Sequence, residues 1–157
     1  MKRFFIVFTV AANLLLVDAV TKELAAGYLK GSAAISVIPN IFNLAYVENR
    51  GCAWGMFQGQ VWPLAVFGIV ALFYLIWKRR VIFGEGNLSR VAEPLLYAGI
   101  MGNVIDRLYR GYVIDMLDFH WGASHFPCFN FADTLICISV GLLILSSLCQ
   151  SCQKQSR

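Results

Sequence analysis

Four long apolar runs divide this chain, and its charged residues collect between the runs instead of alternating through them. A window of about 20 helical residues, the length that crosses roughly 30 Å of hydrocarbon, picks out residues 4–24, 61–77, 88–108 and 131–149. The second run ends in Lys78-Arg79-Arg80. The third is apolar from residue 91 to 105 but carries Asn103, Asp106 and Arg107 near its end. With 59% of 157 residues apolar and 14% charged, there is too little polar surface to clothe a water-soluble globule. The sequence predicts an all-α membrane protein, a single domain over residues 1–157 built as a four-transmembrane-helix bundle. Its net charge of +4 is scattered between runs, which leaves no footprint for nucleic acid.

Charge sets the orientation. Lys2, Arg3, Lys78, Arg79, Arg80, Arg90, Lys154 and Arg157 fall on one side of a four-pass chain, so that side and both termini are expected to be cytoplasmic. Lys22, Lys30, Arg50, Arg107 and Arg110 lie at or beyond the outer interface and need a local reason. The first run also has the outline of a cleavable secretory signal, Met1-Lys2-Arg3 before apolar residues and Val17-Asp18-Ala19. Retention is expected, because Asp18 and Lys22 belong with a polar set described below.

Between the first two runs, residues 25–60 form an outer segment too long for a turn and too short for a domain. Its β-branched and aromatic stretch, residues 37–47, predicts a small β-rich extracytoplasmic cradle between helices 1 and 2, with Trp54, Phe57 and Trp62 in an interfacial belt. A second outer loop, residues 109–130, holds His120 and His125. The five cysteines give no even framework. Cys149-x-x-Cys152 lies at the inner end of the last run with no second pair to complete a metal or redox site, whereas Cys52 and Cys128 share the outer side.

The informative residues are those a bilayer rejects. Asp18 and Lys22 share a helix face at i and i+4, as do Asn103, Asp106 and Arg107; Asp115 and Asp118 follow in the next loop, and Asn130 and Asp133 open the fourth run. All lie toward the outer end. Structural ion pairs account equally well for Asp18 with Lys22, and for Asp106 with Arg107 or Asn103. Asp115 and Asp133 are harder to explain so, being embedded in apolar residues with no adjacent base. Two carboxylates brought together cannot both ionise cheaply, so one keeps a proton and the other acts as base: the arrangement that activates water against an amide. No G-x-S-x-G, Ser-x-x-Lys or placed Cys–His pair offers a nucleophile, no H-E-x-x-H offers a metal site, and the two histidines read as interfacial. Neither metal nor cofactor is expected.

Five blocks in order, Asp18-x-x-x-Lys22, Asn49-Arg50-Gly51-Cys52-Ala53-Trp54, Gly102-Asn103-Val104-Ile105-Asp106-Arg107, Val113-Ile114-Asp115 and Phe129-Asn130-Phe131-Ala132-Asp133, resemble the bacterial lipoprotein signal peptidases, the signal peptidase II family. The resemblance implies an intramembrane aspartic endopeptidase of the bacterial inner membrane, working at the outer leaflet. It would remove the signal peptide from a diacylglyceryl-modified prolipoprotein just before the lipidated cysteine. It implies Asp115 and Asp133 as the catalytic dyad, with Asn103, Arg107 and Asn130 as polar supports. Asp18, Lys22, Asn49, Gly51 and Asp106 match positions of structural or substrate-orienting role. Partners would be the lipid-modified substrate and membrane lipids, with the enzyme a monomer. The aromatic outer segment would clamp the substrate, and Gly51 would allow close backbone approach. Trp54 stands where the family commonly has phenylalanine, Cys52 and Cys128 lie outside its pattern, and Gly99-Ile100-Met101-Gly102 loosens its glycine pairing. Ala98-x-x-x-Gly102 supplies a small-residue face for close helix packing. Two other classes compete: a four-pass proton or small-solute carrier with a carboxylate relay through Asp18, Asp106, Asp115 and Asp133, and a scaffold subunit indifferent to those carboxylates.

Overall fold

The computed structural model describes residues 2–84 and 86–155, with side chains as far as residue 151, so Cys152, Lys154 and Arg157 lie wholly or partly outside the described residues. The chain runs α1 (Lys2–Tyr28), β1 (Ile35–Ile38), β2 (Phe42–Asn49), a 3-10 turn (Ala53–Gly55), α2 (Val61–Trp77), a short α3 (Arg79–Ile82), α4 (Asn87–Arg110), β3 (Val113–Trp121), β4 (Ser124–His125) and α5 (Phe131–Gln155). It is mostly helical with a four-stranded antiparallel sheet in the order β1-β2-β3-β4.

Burial is inverted relative to a soluble protein. On α1 the buried residues are Val7, Asp18, Lys22 and Ala25, while Phe4, Phe5, Phe8, Leu16 and Leu24 are exposed. Polar groups point inward to partners and apolar groups outward, the distribution that hydrocarbon surroundings favour. Lys2–Tyr28 and Phe131–Ser151 are long and apolar enough to cross a membrane, and Val61–Trp77 is apolar over 17 residues. Helix α4 is long enough at 24 residues but carries ionisable residues along its length.

Helix α4 is the centre, packing on α1, α2 and most extensively on α5. The sequence reads Gly99-Ile100-Met101-Gly102 as a loosening; the structure corrects this. A Cβ on Gly99 would stand 2.5 Å from the Ala132 carbonyl oxygen, and one on Gly102 would collide with the Asp18 carboxylate, so both glycines are closest-approach points against α5 and α1. The helix stops where Gly111, at φ 78°, adopts a left-handed turn and its N–H bonds back to the Arg107 carbonyl.

That turn launches β3 directly, and here the cradle differs from expectation. Half of the sheet comes from the segment after α4, and Asp115 sits on a strand, not in a loop. Residues Val113 to Met116 are buried consecutively because both faces of β3 are covered. Ile114 and Met116 pack on Ala25 and Leu29 at the end of α1, while Val113 and Asp115 point to the opposite side, into a cleft.

At the other end of the bundle lies a group that hydropathy averaging conceals. Glu93 is fully buried on α4; Arg3 Nη2 donates to it at 2.9 Å and Arg79 Nε at 2.7 Å. The polar set singled out from sequence, which lies toward one end of the runs, does not include Glu93.

Candidate active site

The start of α5 fixes the first carboxylate. The Asn130 backbone N–H donates to Asp133 Oδ2 at 3.2 Å while the Asp133 N–H donates to Asn130 Oδ1 at 3.0 Å, a reciprocal cap that locks both side chains at the helix N-terminus. A carboxylate there faces the positive end of the helix dipole. Asp18 reinforces the same terminus from α1, accepting from the Ala132 N–H at 2.9 Å.

The second carboxylate comes from the sheet. Asp115 lies opposite Val47 in the β2–β3 register, two residues from Asn49, whose Nδ2 donates to Asp115 Oδ2 at 2.9 Å. Asn130 Nδ2 donates to Asp115 Oδ1 at 2.7 Å. Thus one asparagine touches both aspartates, through its amide on one side and its backbone on the other. Asn103 adds a second link: its Nδ2 donates to Asp133 Oδ1 at 2.7 Å, and its Oδ1 accepts from Asn130 Nδ2 at 3.2 Å. Both carboxylates line a cleft of about 440 Å³ whose remaining wall is largely apolar, with Phe129, Ile136 and Ile138 among its side chains. An adjoining recess of about 550 Å³ carries Asp118 and His125.

Burial and the neighbouring Asp133 charge push the Asp115 carboxyl up to about 7, against the opposing donations of Asn49 and Asn130. Near neutral pH the Asp115 carboxyl is therefore poised between its protonated and ionised forms.

Lys22 stands behind this arrangement, buried to 1% exposure. Its Nζ lies 2.8 Å from Asp18 Oδ2, 3.0 Å from Asp106 Oδ2 and 3.2 Å from Asn103 Oδ1. Asp106 does not pair with Arg107 as the sequence allows. It accepts from Arg110 Nε at 3.1 Å, one helical turn on, and from the Ile114 N–H at 3.3 Å. Arg107 is freed to hold backbone carbonyls, donating from Nη2 to Gly51 at 2.9 Å and from Nη1 to Asn103 at 3.2 Å. That contact brings Gly51 to the cleft, the Asn49 side chain accepting from the Gly51 N–H at 2.9 Å.

All ten residues singled out from sequence therefore meet in one network. A Cβ on Gly51 would stand 2.5 Å from the Met56 carbonyl oxygen, so Gly51→Ala must shift backbone in the loop whose Gly51 carbonyl Arg107 holds. We expect this variant to lose about tenfold in cleavage rate, with the unfolding temperature lowered by the few degrees that a loop strain of roughly 1–3 kcal/mol implies. Side-by-side cleavage and thermal-melt measurements check it.

Asn49 and Trp54 reach the cleft from the outer segment, and Trp54 crosses it to meet Phe126 edge-on at 5.8 Å. The histidines pair elsewhere than with Asp115 or Asp133: His125 Nδ1 lies 2.7 Å from Asp118 Oδ1 and its ring stacks on His120 at 4.8 Å. Cys52 and Cys128 are free thiols that both line the cleft, and burial pushes the Cys128 thiol up to about 12. Among the described residues, no three His, Cys, Asp or Glu side chains gather as a metal would require.

Residues 10–149 match the family described as Signal peptidase (SPase) II. The chain is 40% identical over 147 residues, 92% of its length, to the lipoprotein signal peptidase of Syntrophotalea carbinolica, of which the match covers 91%. It is 40% identical over 139 residues to that of Fusobacterium nucleatum, covering 86% of this chain and 81% of the relative. A bacterial membrane enzyme solved by the in meso method at 2.3 Å superposes with a TM-score of 0.84 at 31% identity, covering 96% of this chain and 92% of that one.

Proposed function

The chain belongs to the signal peptidase II family, and from that premise we propose that it cleaves the signal peptide from diacylglyceryl-modified prolipoproteins by an aspartic mechanism. The observation that carries this reading is the joint hold of Asn130 and Asn103 on Asp115 and Asp133 at one cleft wall. In the proposed cycle, the ionised member takes a proton from water as the water oxygen attacks the scissile carbonyl carbon. The protonated member donates a hydrogen bond to the carbonyl oxygen and later delivers a proton to the leaving nitrogen. Asp115, whose carboxyl burial pushes up, holds the proton at rest, and Asp133 at the α5 terminus is the base. Asn49 and Asn130 orient Asp115, and Arg107 holds the outer segment over the cleft through Gly51.

Placement in the bilayer follows from the same residues. We take α1, α2, α4 and α5 as four spans with both termini cytoplasmic in a bacterial inner membrane, the dyad at the outer leaflet, the sheet as the extracytoplasmic cradle, and the protein as a monomer. The apolar cleft wall then faces the acyl chains that anchor the substrate cysteine, so the scissile bond arrives at the height of the carboxylates. A carrier relay is less well supported. Between Glu93 and Asn103 on α4, a rise of about 15 Å, Tyr97 is the one ionisable residue.

A purified-protein assay on a diacylglyceryl-modified precursor tests the reading: cleavage just before the lipidated cysteine is expected, and no cleavage, or cleavage elsewhere, would refute it. The pH profile carries a second prediction. The rate falls as pH rises through about 7, when Asp115 loses its proton. The sign for stability is the same. Folded Asp115 keeps a proton that the unfolded chain has released above its ordinary value of 3.8, so its contribution to stability diminishes as pH rises from about 4 to about 7. Asp115→Asn should flatten that part of a melt-against-pH curve.

A further inference from the structure

Helices α1 and α2 both lie on α4 and scarcely touch each other. The strip of α4 between them is the floor of a groove of about 350 Å³, walled by Phe8, Ala12 and Leu15 of α1 and by Leu72 and Ile76 of α2, with Ala98 beneath. Its wall on α1 runs from Phe4 to Leu15, a rise of about 16 Å, close to half of a hydrocarbon core roughly 30 Å thick. A methylene needs about the volume of a water molecule, roughly 30 Å³, so the space takes on the order of a dozen. One acyl chain fits it in both length and volume.

The ends of the groove differ. Toward Leu15 it is wholly apolar; toward Phe4 it ends at Arg79 and Glu93. The described residues of the segments around that end, 2–3, 78–84 and 86–93, carry Lys2, Arg3, Lys78, Arg79, Arg80 and Arg90 against Glu93. Glu93 also does more than balance charge. Accepting from Arg3 and Arg79 together, it ties the starts of α1 and α3 to α4 at this end of the groove.

We propose that this groove is a binding site for one anionic phospholipid of the inner leaflet, its acyl chain between α1 and α2 and its phosphate among the basic residues at the Arg79 end. The phosphodiester meets a surplus of fixed positive charge, which a zwitterionic headgroup partly cancels with its own cation. The site lies at the opposite end of the bundle from the dyad. It rests on the bilayer placement above but not on the aspartic chemistry.

The test is native mass spectrometry of the purified full chain in detergent with phosphatidylglycerol and phosphatidylcholine of matched chain length. Wild type should retain one phosphatidylglycerol, favoured about tenfold over phosphatidylcholine. Ala12→Phe, which fills an exposed position on the wall, should abolish retention. Lys78→Gln with Arg80→Gln should remove the headgroup preference. Both variants should still cleave a lipid-modified precursor, which separates failure of this site from failure of the peptidase reading. Equal retention of the two lipids by wild type, or full retention by Ala12→Phe, would overturn the proposal. A photoactivatable acyl-chain phosphatidylglycerol on wild type gives an answer that needs no variant. Labelling of residues 4–15 supports the site; labelling elsewhere, or displacement by a signal-peptide segment, overturns it.

Discussion

Asp115→Asn and Asp133→Asn should each abolish cleavage of a diacylglyceryl-modified precursor, lowering the rate on the order of a thousandfold or more, while the protein still inserts and melts cooperatively. Asparagine keeps the size of each side chain but has one acceptor oxygen where Asp115 accepts with both, from Asn130 and Asn49, and Asp133 with both, from Asn103 and the Asn130 N–H, so each variant loses the charge and one of two accepted hydrogen bonds. What disappears is the capacity to take a proton from water or to give one to the leaving nitrogen. The double variant should be no worse than either single one, because the two groups act as a unit and their effects do not add. A single-turnover assay on detergent-solubilised protein is the measurement. Substantial cleavage by either single variant would remove that residue from the chemistry. The Asp133 variant should also weaken the α5 cap, so its melting temperature should drop more than that of the Asp115 variant.

Much of this site is legible in the sequence because membrane surroundings make polar residues conspicuous. Asn130-x-x-Asp133 has the spacing of a reciprocal cap, and it opens α5 as such. Asp18 and Lys22 share a face and do pair. Other features required coordinates. Adjacent helix residues never face each other, so Asp106 turns to Arg110 and Lys22 instead of Arg107. The run from Val113 to Met116 is buried on both sides, which erases the alternation that marks a half-exposed strand, and β3 therefore reads as loop. Asn49 reaches Asp115 only through the β2–β3 register, which no local pattern encodes. Glu93 is hidden by averaging, one carboxylate among apolar neighbours whose partners Arg3 and Arg79 are remote in sequence.

Lys22→Met carries the largest expected effect on stability. The lysine ammonium lies between Asp18 and Asp106 and is nearly inaccessible to solvent, so its removal leaves buried Asp18 without a counter-charge and Asp106 with Arg110 alone. Breaking a buried pair by deleting one member costs about 3–5 kcal/mol, and here the deletion leaves Asp18 uncompensated and Asp106 with one of its two cations. A large fall in the thermal midpoint of the purified protein is the expected result. The triple variant Asp18→Asn, Lys22→Met, Asp106→Asn removes the charges together and should recover much of that midpoint. Activity should not recover in parallel. Lys22 and Asn130 both donate to Asn103 Oδ1, which obliges the Asn103 amide to turn its Nδ2 toward Asp133. Without the ammonium the amide is less firmly fixed, and kcat should stay depressed with KM little changed, since the loss falls on orientation of the base and not on substrate contact. Full recovery of both midpoint and kcat in the triple variant would reduce Lys22 to a charge-balancing strut. Recovery of the midpoint alone assigns it the second task, setting the geometry of the dyad from one layer behind.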